Sequence, residues 1–192
     1  MAQDVTRITL STAQVWYASA GSTFPANSTA VGASWGAEWT KLGYTESPVT
    51  FEYSFDIVEA DIQESLAVVK RAKSKEAAML ETVIAELDLN QFKLAMEGTV
   101  SATGSPANDT MDMGGYNTLT ERAWGFEGTW VNSSGTGYPV RLFIYKGSSQ
   151  AGGQLAWDKA KYLGLPLKIK ALADMTKTQG SRLFKLVQVT GA

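Results

Sequence analysis

Between Val49 and Ile57 every second residue is apolar: Val49, Phe51, Tyr53, Phe55 and Ile57 alternate with Thr50, Glu52, Ser54 and Asp56. Successive side chains of a strand point to opposite faces, so a period of two marks an extended chain with one buried and one wet face. After Ile57 the apolar set changes phase to Val58, Ala60 and Ile62. A one-residue slip of this kind follows from a β-bulge or a bend, so the strand is expected to continue through residues 50–62.

The same alternation recurs along the chain. Residues 5–10 and 14–18 are short extended stretches that a turn at Ser11 and Thr12 would join into a hairpin. Residues 123–131 put Trp124, Phe126 and Trp130 on one face, residues 132–137 make a turn, and Val140, Leu142 and Ile144 alternate after Pro139. Leu167, Ile169, Ala171 and Ala173 alternate again, as do Leu183, Lys185, Val187 and Val189 after a turn at residues 177–180. Eighteen Gly against five Pro, amid many Thr, Ser and Val, agree with β structure and numerous turns. The expected fold is mainly β: a β-sandwich or barrel with one short flanking α-helix and long loops, a single domain over residues 1–192.

The helix is expected from Asp88 to Glu97. Asp88 is a good N-cap, Gln91 three residues on completes a capping box, and Leu87 and Phe92 occupy the staple positions. Gly98 is expected to stop it, with Leu89, Phe92 and Met96 facing a sheet. Residues 76–86 are ambiguous, because Met79, Leu80, Val83, Ile84 and Leu87 also fit one face of a helix, and pattern alone favours helix. Residues 66–75 turn basic through Lys70, Arg71, Lys73 and Lys75 and are expected to form a basic turn. Residues 19–34 and 99–118 are rich in turn residues without an apolar period, so both are expected as long loops. For the first, a loop that orders against a neighbouring subunit and plain disorder both remain open.

Composition narrows the chemistry. Without histidine or cysteine, Ser-His-Asp and Cys-His catalysis, thiolate or imidazole metal sites and disulfides are impossible. No run approaches the roughly 18 apolar residues of a membrane helix, and the N-terminal residues lack an export signal, so a protein made in a cytoplasm is expected. The sequons at Asn27, Asn108 and Asn132 then carry little weight. A net charge of −2 hides an asymmetry: residues 1–65 hold eight acidic side chains against Arg7 and Lys41, whereas residues 66–192 hold fifteen basic against eleven acidic. Opposite signs suit a molecule that docks on copies of itself, although two differently solvated faces of a monomer would read the same way.

Motifs for catalysis are weak. Carboxylate pairs drawn from Glu52, Asp56, Glu59, Asp61 and Glu64 meet the spacing of a glycosidase, but alternate residues of any acidic strand face do so by geometry alone. Asn108, Asp109 and Asp112 lack the Gly and closing Glu of a calcium loop, and Gly147, Gly152 and Gly153 lead into no phosphate-binding Lys-Ser/Thr. Scattered basic residues do not form a nucleic-acid-reading module. No catalytic residue, metal or cofactor is expected.

The order of elements carries more. Trp39 precedes a Leu-Gly-x-Thr turn at Leu42, Gly43 and Thr45; the aromatic strand from Phe51 to Ile57, a segment over residues 76–86 ending in Glu86 and the short helix from Asp88 to Met96 follow. Late in the chain, residues 167–177 read as a strand running into an Ala-x-x-Asp turn. This order resembles the tail tube (major tail) proteins of long-tailed bacteriophages, and the resemblance favours a strand over residues 76–86. It implies a structural protein of the virion tail, assembled in the host cytoplasm as stacked, hexameric rings that form a conduit for DNA ejection. The implied partners are other copies of the chain, other phage tail proteins and genomic DNA that passes without specific binding, with no membrane. An acidic or weakly charged lumen would keep phosphates from sticking, and Glu52, Asp56, Glu59 and Asp61 are the candidate lumen-facing acids. The two long loops supply candidate inter-subunit residues: Phe24, Pro25, Val31, Trp35, Met111, Met113 and Tyr116. A reading of another class is a monomeric carbohydrate-binding β-sandwich using exposed faces of the six Trp; the plainer role of Trp35 and Trp39 is to pack loops onto the core.

Overall fold

The computed structural model describes residues 13–46, 48–60, 67–86, 88–103, 108–115, 118–131, 135–150 and 163–190. The strands are β1 (Gln14–Ser19), β2 (Thr40–Lys41), β3 (Thr50–Ala60), β4 (Lys70–Ile84), β5 (Thr99–Thr103), β6 (Asn108–Asp112), β7 (Arg122–Val131), β8 (Gly137–Ser149), β9 (Leu165–Ala171) and β10 (Phe184–Gln188), with helix α1 (Leu89–Met96) between β4 and β5. The fold is mainly β with antiparallel sheets, as the alternation predicts. The strand expected over residues 5–10 and its turn lie outside the described residues.

Eight strands form one sheet in the order β2-β1-β7-β8-β9-β4-β3, with β10 also paired to β8. The sheet curls on itself. The segment after β2 bonds both β1 and β4: Leu42 N–H donates to Val15 O at 2.9 Å, Ala85 N–H donates to Tyr44 O at 2.9 Å, and Glu46 N–H donates to Val83 O at 2.9 Å. Because β1 and β4 lie four places apart in the sheet order, one short segment reaches both only if the sheet closes toward a barrel.

Alternation gives each face its own core. Val15 and Tyr17 of β1, Trp124 of β7, Leu142 and Ile144 of β8, Leu167 and Ile169 of β9 and Leu80 and Ile84 of β4 fill the inner side. Trp16, Ala18, Ala123 and Phe143 point the other way and pack with Trp35 and Trp39. Burial at about 25 cal/mol per Å² makes these side chains the main source of stability.

Helix α1 closes the inner cluster. Asp88 accepts from the N–H groups of Asn90 (2.7 Å) and Gln91 (2.9 Å), and its own N–H donates to Gln91 Oε1 at 2.6 Å, so the predicted capping box is complete. Leu94 and Ala95 are buried, and Ser149 Oγ donates to Ala95 O at 2.6 Å. The other staple residue, Leu87, is outside the described residues. The helix stop differs from expectation: Glu97, not Gly98, takes the left-handed conformation, with φ 58°. Its carboxylate pairs with Arg122 at 3.2 Å and accepts from Thr120 N–H at 3.2 Å, contacts that offset the cost of a left-handed non-Gly residue. At Gly98 a Cβ would displace the flexible end of Met111 and approach Asp112 O to 3.1 Å, so the position is tightly packed.

Two expectations are corrected and one open reading is decided. Residues 76–84, where pattern favoured helix and the resemblance strand, are strand: Ala78, Leu80, Thr82 and Ile84 are buried, while Met79 and Val83 on the other face are half-buried. Two partly covered faces give a near-continuous apolar run that mimics a helical stripe. The expected basic turn over residues 66–75 is, from Lys70 onward, the outer half of β4, paired with β3 from Glu59↔Arg71 to Asp56↔Lys75. The expected loop over residues 99–118 contains the β5–β6 hairpin, in which Ser101 and Thr110 hydroxyls meet at 3.0 Å. Largely exposed, that hairpin needs no apolar alternation, which is why its sequence reads as loop.

Candidate assembly surface

β3 and β4 continue beyond the body of the sheet as a two-stranded ribbon. Along β3 only Phe51 is half-buried and the other ten residues are exposed. The alternation of Phe51, Tyr53, Phe55 and Ile57 is real, but no buried face receives it in the single subunit: Phe55 is 44%, Ile57 45% and Val58 56% exposed. β3 ends the sheet order, so its far edge has no strand partner among the described residues. The phase change after Ile57 coincides with a register shift between Asp56 and Ile57, where Ser74 is the extra residue, on β4 rather than β3.

Cross-strand partners share a face in an antiparallel pair, which sorts the ribbon. One face continues the inner core. Phe51 and Tyr53 stand 5.0 and 5.3 Å from the Phe184 ring, and Phe55 lies 6.0 Å beyond Tyr53. On β4, Glu76, Lys73 and Arg71 stand opposite Phe55, Ile57 and Glu59. Lys73 Nζ donates to Tyr53 Oη and to Glu76 Oε1, both at 3.1 Å, and Tyr53 Oη donates to the same Glu76 oxygen at 3.0 Å. These hydrogen bonds, that to Tyr53 first, raise the Lys73 ammonium above its ordinary pKa; those from Lys73 and Tyr53 lower the Glu76 carboxyl below its own. Glu59 pairs with Arg71 at 2.7 Å.

The other face is wet and mixed in charge. Glu52 and Asp56 lie there, with Met79 and Lys75 opposite them, and further across β4 and β9 come Glu81, Lys168 and Lys170. Lys168 bonds Glu81 at 2.8 Å. The four acids singled out from sequence therefore do not share a face: Glu52 and Asp56 are together, Glu59 is on the opposite side, and Asp61 is outside the described residues.

Beyond Ser19, the last residue of β1, the loop expected over residues 19–34 has no strand or helix, yet it orders against its own sheet. Phe24 lies 4.4 Å from Phe143 and 5.5 Å from Trp39 and Tyr145. Trp35 stacks on Trp16 at 5.2 Å and 11°, and Gly125 leaves the space that the Trp35 ring fills. Beneath the loop, Arg141 Nε donates to Glu127 Oε1 at 2.8 Å, and its other nitrogens donate to Ala26 O (3.1 Å) and Thr29 O (2.5 Å). Glu127 Oε2 accepts from Gly32 N–H at 2.8 Å. Phe24 and Trp35 thus hold the loop, as the packing role of Trp35 and Trp39 predicted, while Val31 is exposed and Pro25 half-buried. In the other region Met113 is exposed, Met111 packs at Gly98, and Tyr116 is outside the described residues.

Among the described residues no three acidic side chains gather to hold a metal ion, and no helix is long and apolar enough to cross a membrane. An open concavity of about 1010 Å³ at the closing seam carries one carboxylate, Glu86, and one amine, Lys41, rather than a carboxylate pair. Trp16, Trp35, Trp39 and Trp124 are buried and present no open face, Trp130 is half-buried and stacks on Tyr138 at 5.6 Å, and Trp157 is outside the described residues.

Sequence comparison agrees with this arrangement. A family model described as "Phage tail tube protein" matches residues 1–188. No curated protein matches the chain.

Proposed function

The chain belongs to the phage tail tube protein family, a structural component of the virion tail, and from that premise we propose that its copies close into sixfold rings that stack into the conduit for DNA ejection. The observation that carries this reading is the β3–β4 ribbon: an apolar stripe continuous with the core, largely exposed at Phe55 and Ile57, on a strand whose far edge has no strand partner among the described residues. An exposed edge strand with an apolar face is a template for association. In a ring, a neighbour's strand satisfies the edge and its side chains cover Tyr53, Phe55 and Ile57.

The wet face of the ribbon would then turn toward the lumen. Glu52, Asp56 and Glu81 are its acids and Lys75, Lys168 and Lys170 balance them, while Glu59 stands on the opposite face. Such a face is weakly charged, without the uncompensated cationic row that binds phosphates, so DNA slides through without specific binding. Ring-to-ring contact would fall to Pro25 and Val31 on the strapped loop and to Met111, Met113 and Tyr116 near the β5–β6 hairpin, with Phe24 and Trp35 holding the first loop in place. Other tail proteins would meet the ends of the tube, which is assembled in the host cytoplasm.

The absence of native cysteine gives a clean test. In an Ile57→Cys variant the thiol should react readily with a maleimide in the free subunit and be protected at least about tenfold in assembled tubes, as burial of a position 45% exposed in the subunit requires. Equal labelling in both forms would remove the ribbon from the interface. Replacing Glu52 and Asp56 with Lys should leave tubes intact but slow DNA passage; unchanged passage would count against their lumen assignment.

A further inference from the structure

The apolar stripe is not bare. Lys73 reaches back over it, with Nζ 4.4 Å from the centroid of Phe55 and 5.5 Å from that of Tyr53. Glu76 Oε1 accepts from both Lys73 and Tyr53, so one carboxylate fixes the cation and the phenol in a closed triangle. Arg71, the next cation outward on this face, is occupied differently, by Glu59 at 2.7 Å. Among the described residues Lys73 is therefore the cation that lies on the rings a docking partner would have to cover. A second surface that closes over Tyr53 and Phe55 must either desolvate the Lys73–Glu76 ion pair, a cost that the mutual attraction of the two charges does not fully repay, or displace Lys73 from the rings toward water or an acid on the incoming side.

We propose that Lys73 is a gatekeeper of self-association: in the free subunit its ammonium lies on the Tyr53 and Phe55 rings and opposes docking of a second copy, and it swings off the rings when that copy binds. The inference rests on the reading of this face as an interface between copies. A second copy is the occupant because the stripe continues the subunit's own core through Phe184, because the adjoining edge of β3 has no strand partner among the described residues, and because a chain of the phage tail tube protein family is read above as joining its own copies into a tube. The first 65 residues, with eight acids against two basic residues, also offer a neighbour's carboxylates to the displaced ammonium. A charged lysine beside an unavoidable apolar strand is a general means of suppressing untimely association.

The test compares the full-length chain with its Lys73→Met, Lys73→Arg and Glu76→Gln variants by sedimentation velocity and light scattering across a concentration series. Circular dichroism and thermal melting confirm that each variant is folded. Met keeps the apolar stem without the charge, and it should lower the onset concentration of self-association about two- to fivefold, the scale of an exposed cation–ring contact. Arg keeps the charge on the rings and should leave the onset unchanged; Gln at Glu76 frees Lys73 and should shift the onset in the same direction as Met, by less. If Lys73→Met does not fold, Lys73→Gln and Glu76→Gln carry the comparison. An onset at or above that of the parent chain for the uncharged variants, or Lys73→Arg shifting as far as Lys73→Met, would overturn the gatekeeper. Phe55→Asp separates this from the underlying reading. If it abolishes assembly while the Lys73 variants leave the onset unchanged, the interface stands and the gatekeeper falls; normal tubes from Phe55→Asp would remove the interface itself.

Discussion

Arg141 and Glu127 stand opposite one another on neighbouring strands, their charged atoms 2.8 Å apart and each side chain only 1% exposed. Between them they bind the carbonyls of Ala26 and Thr29 and the N–H of Gly32, so a loop without secondary structure is fastened by one buried ion pair. Removing one partner leaves an uncompensated buried charge. Arg141→Met should therefore lower stability by about 3–5 kcal/mol in urea unfolding, with hydrogen exchange at Gly32 rising before global unfolding. A loss below about 1 kcal/mol would mean that the pair is solvated in solution.

Gly125 faces the Trp35 ring so closely that a methyl group there must displace it. Gly125→Ala should cost about 1–3 kcal/mol by overpacking and should abolish the near-ultraviolet circular dichroism of the stacked Trp16–Trp35 pair. Retention of that signal would show that the loop shifts without unstacking the rings.

The capping box sets a smaller effect. Asp88→Ala removes the acceptor for two helix N–H groups and should destabilise by about 1 kcal/mol, whereas Asp88→Ser, which can still cap, should cost a few tenths. Equal losses for both would argue that Asp88 acts through its charge rather than its hydrogen bonds.

Asp174 gives a pH dependence with a definite sign. Its carboxylate accepts from the Thr176 hydroxyl (2.7 Å) and N–H (3.0 Å), which hold its pKa below the ordinary value of 3.8. A depressed folded pKa contributes stability that is present above the unfolded value and lost as pH falls through the lower folded value. The Tm difference between the parent chain and Asp174→Asn should be constant at neutral pH and shrink below about pH 4. A difference that grew on acidification would reverse the assignment.

How much of this was legible in the sequence depends on whether the deciding interaction was local. Asp88 and Gln91 lie within one helical turn, and the capping box could be read directly. Trp124, Phe126, Leu142 and Ile144 alternate because one face meets a core, and that hairpin formed as expected. The basic half of β4 was missed because its strand character comes from the acidic strand opposite, not from its own pattern. For β3, alternation announced an apolar face correctly, but a single sequence does not reveal that the face stays open in the subunit. Glu127 and Arg141 read as ordinary wet-face residues; the signal that would have found them was the predicted hairpin itself, whose register sets one opposite the other.

The central claim, that the uncovered stripe of the β3–β4 ribbon is where copies join into a tube, is tested most directly by electron microscopy of the purified chain beside its Phe55→Asp variant under identical conditions. The parent is expected to form rings or tubes about 10 nm across, the scale of six subunits of roughly 20 kDa around a channel, and the variant folded monomers. Tubes of the same width and abundance from Phe55→Asp would contradict it.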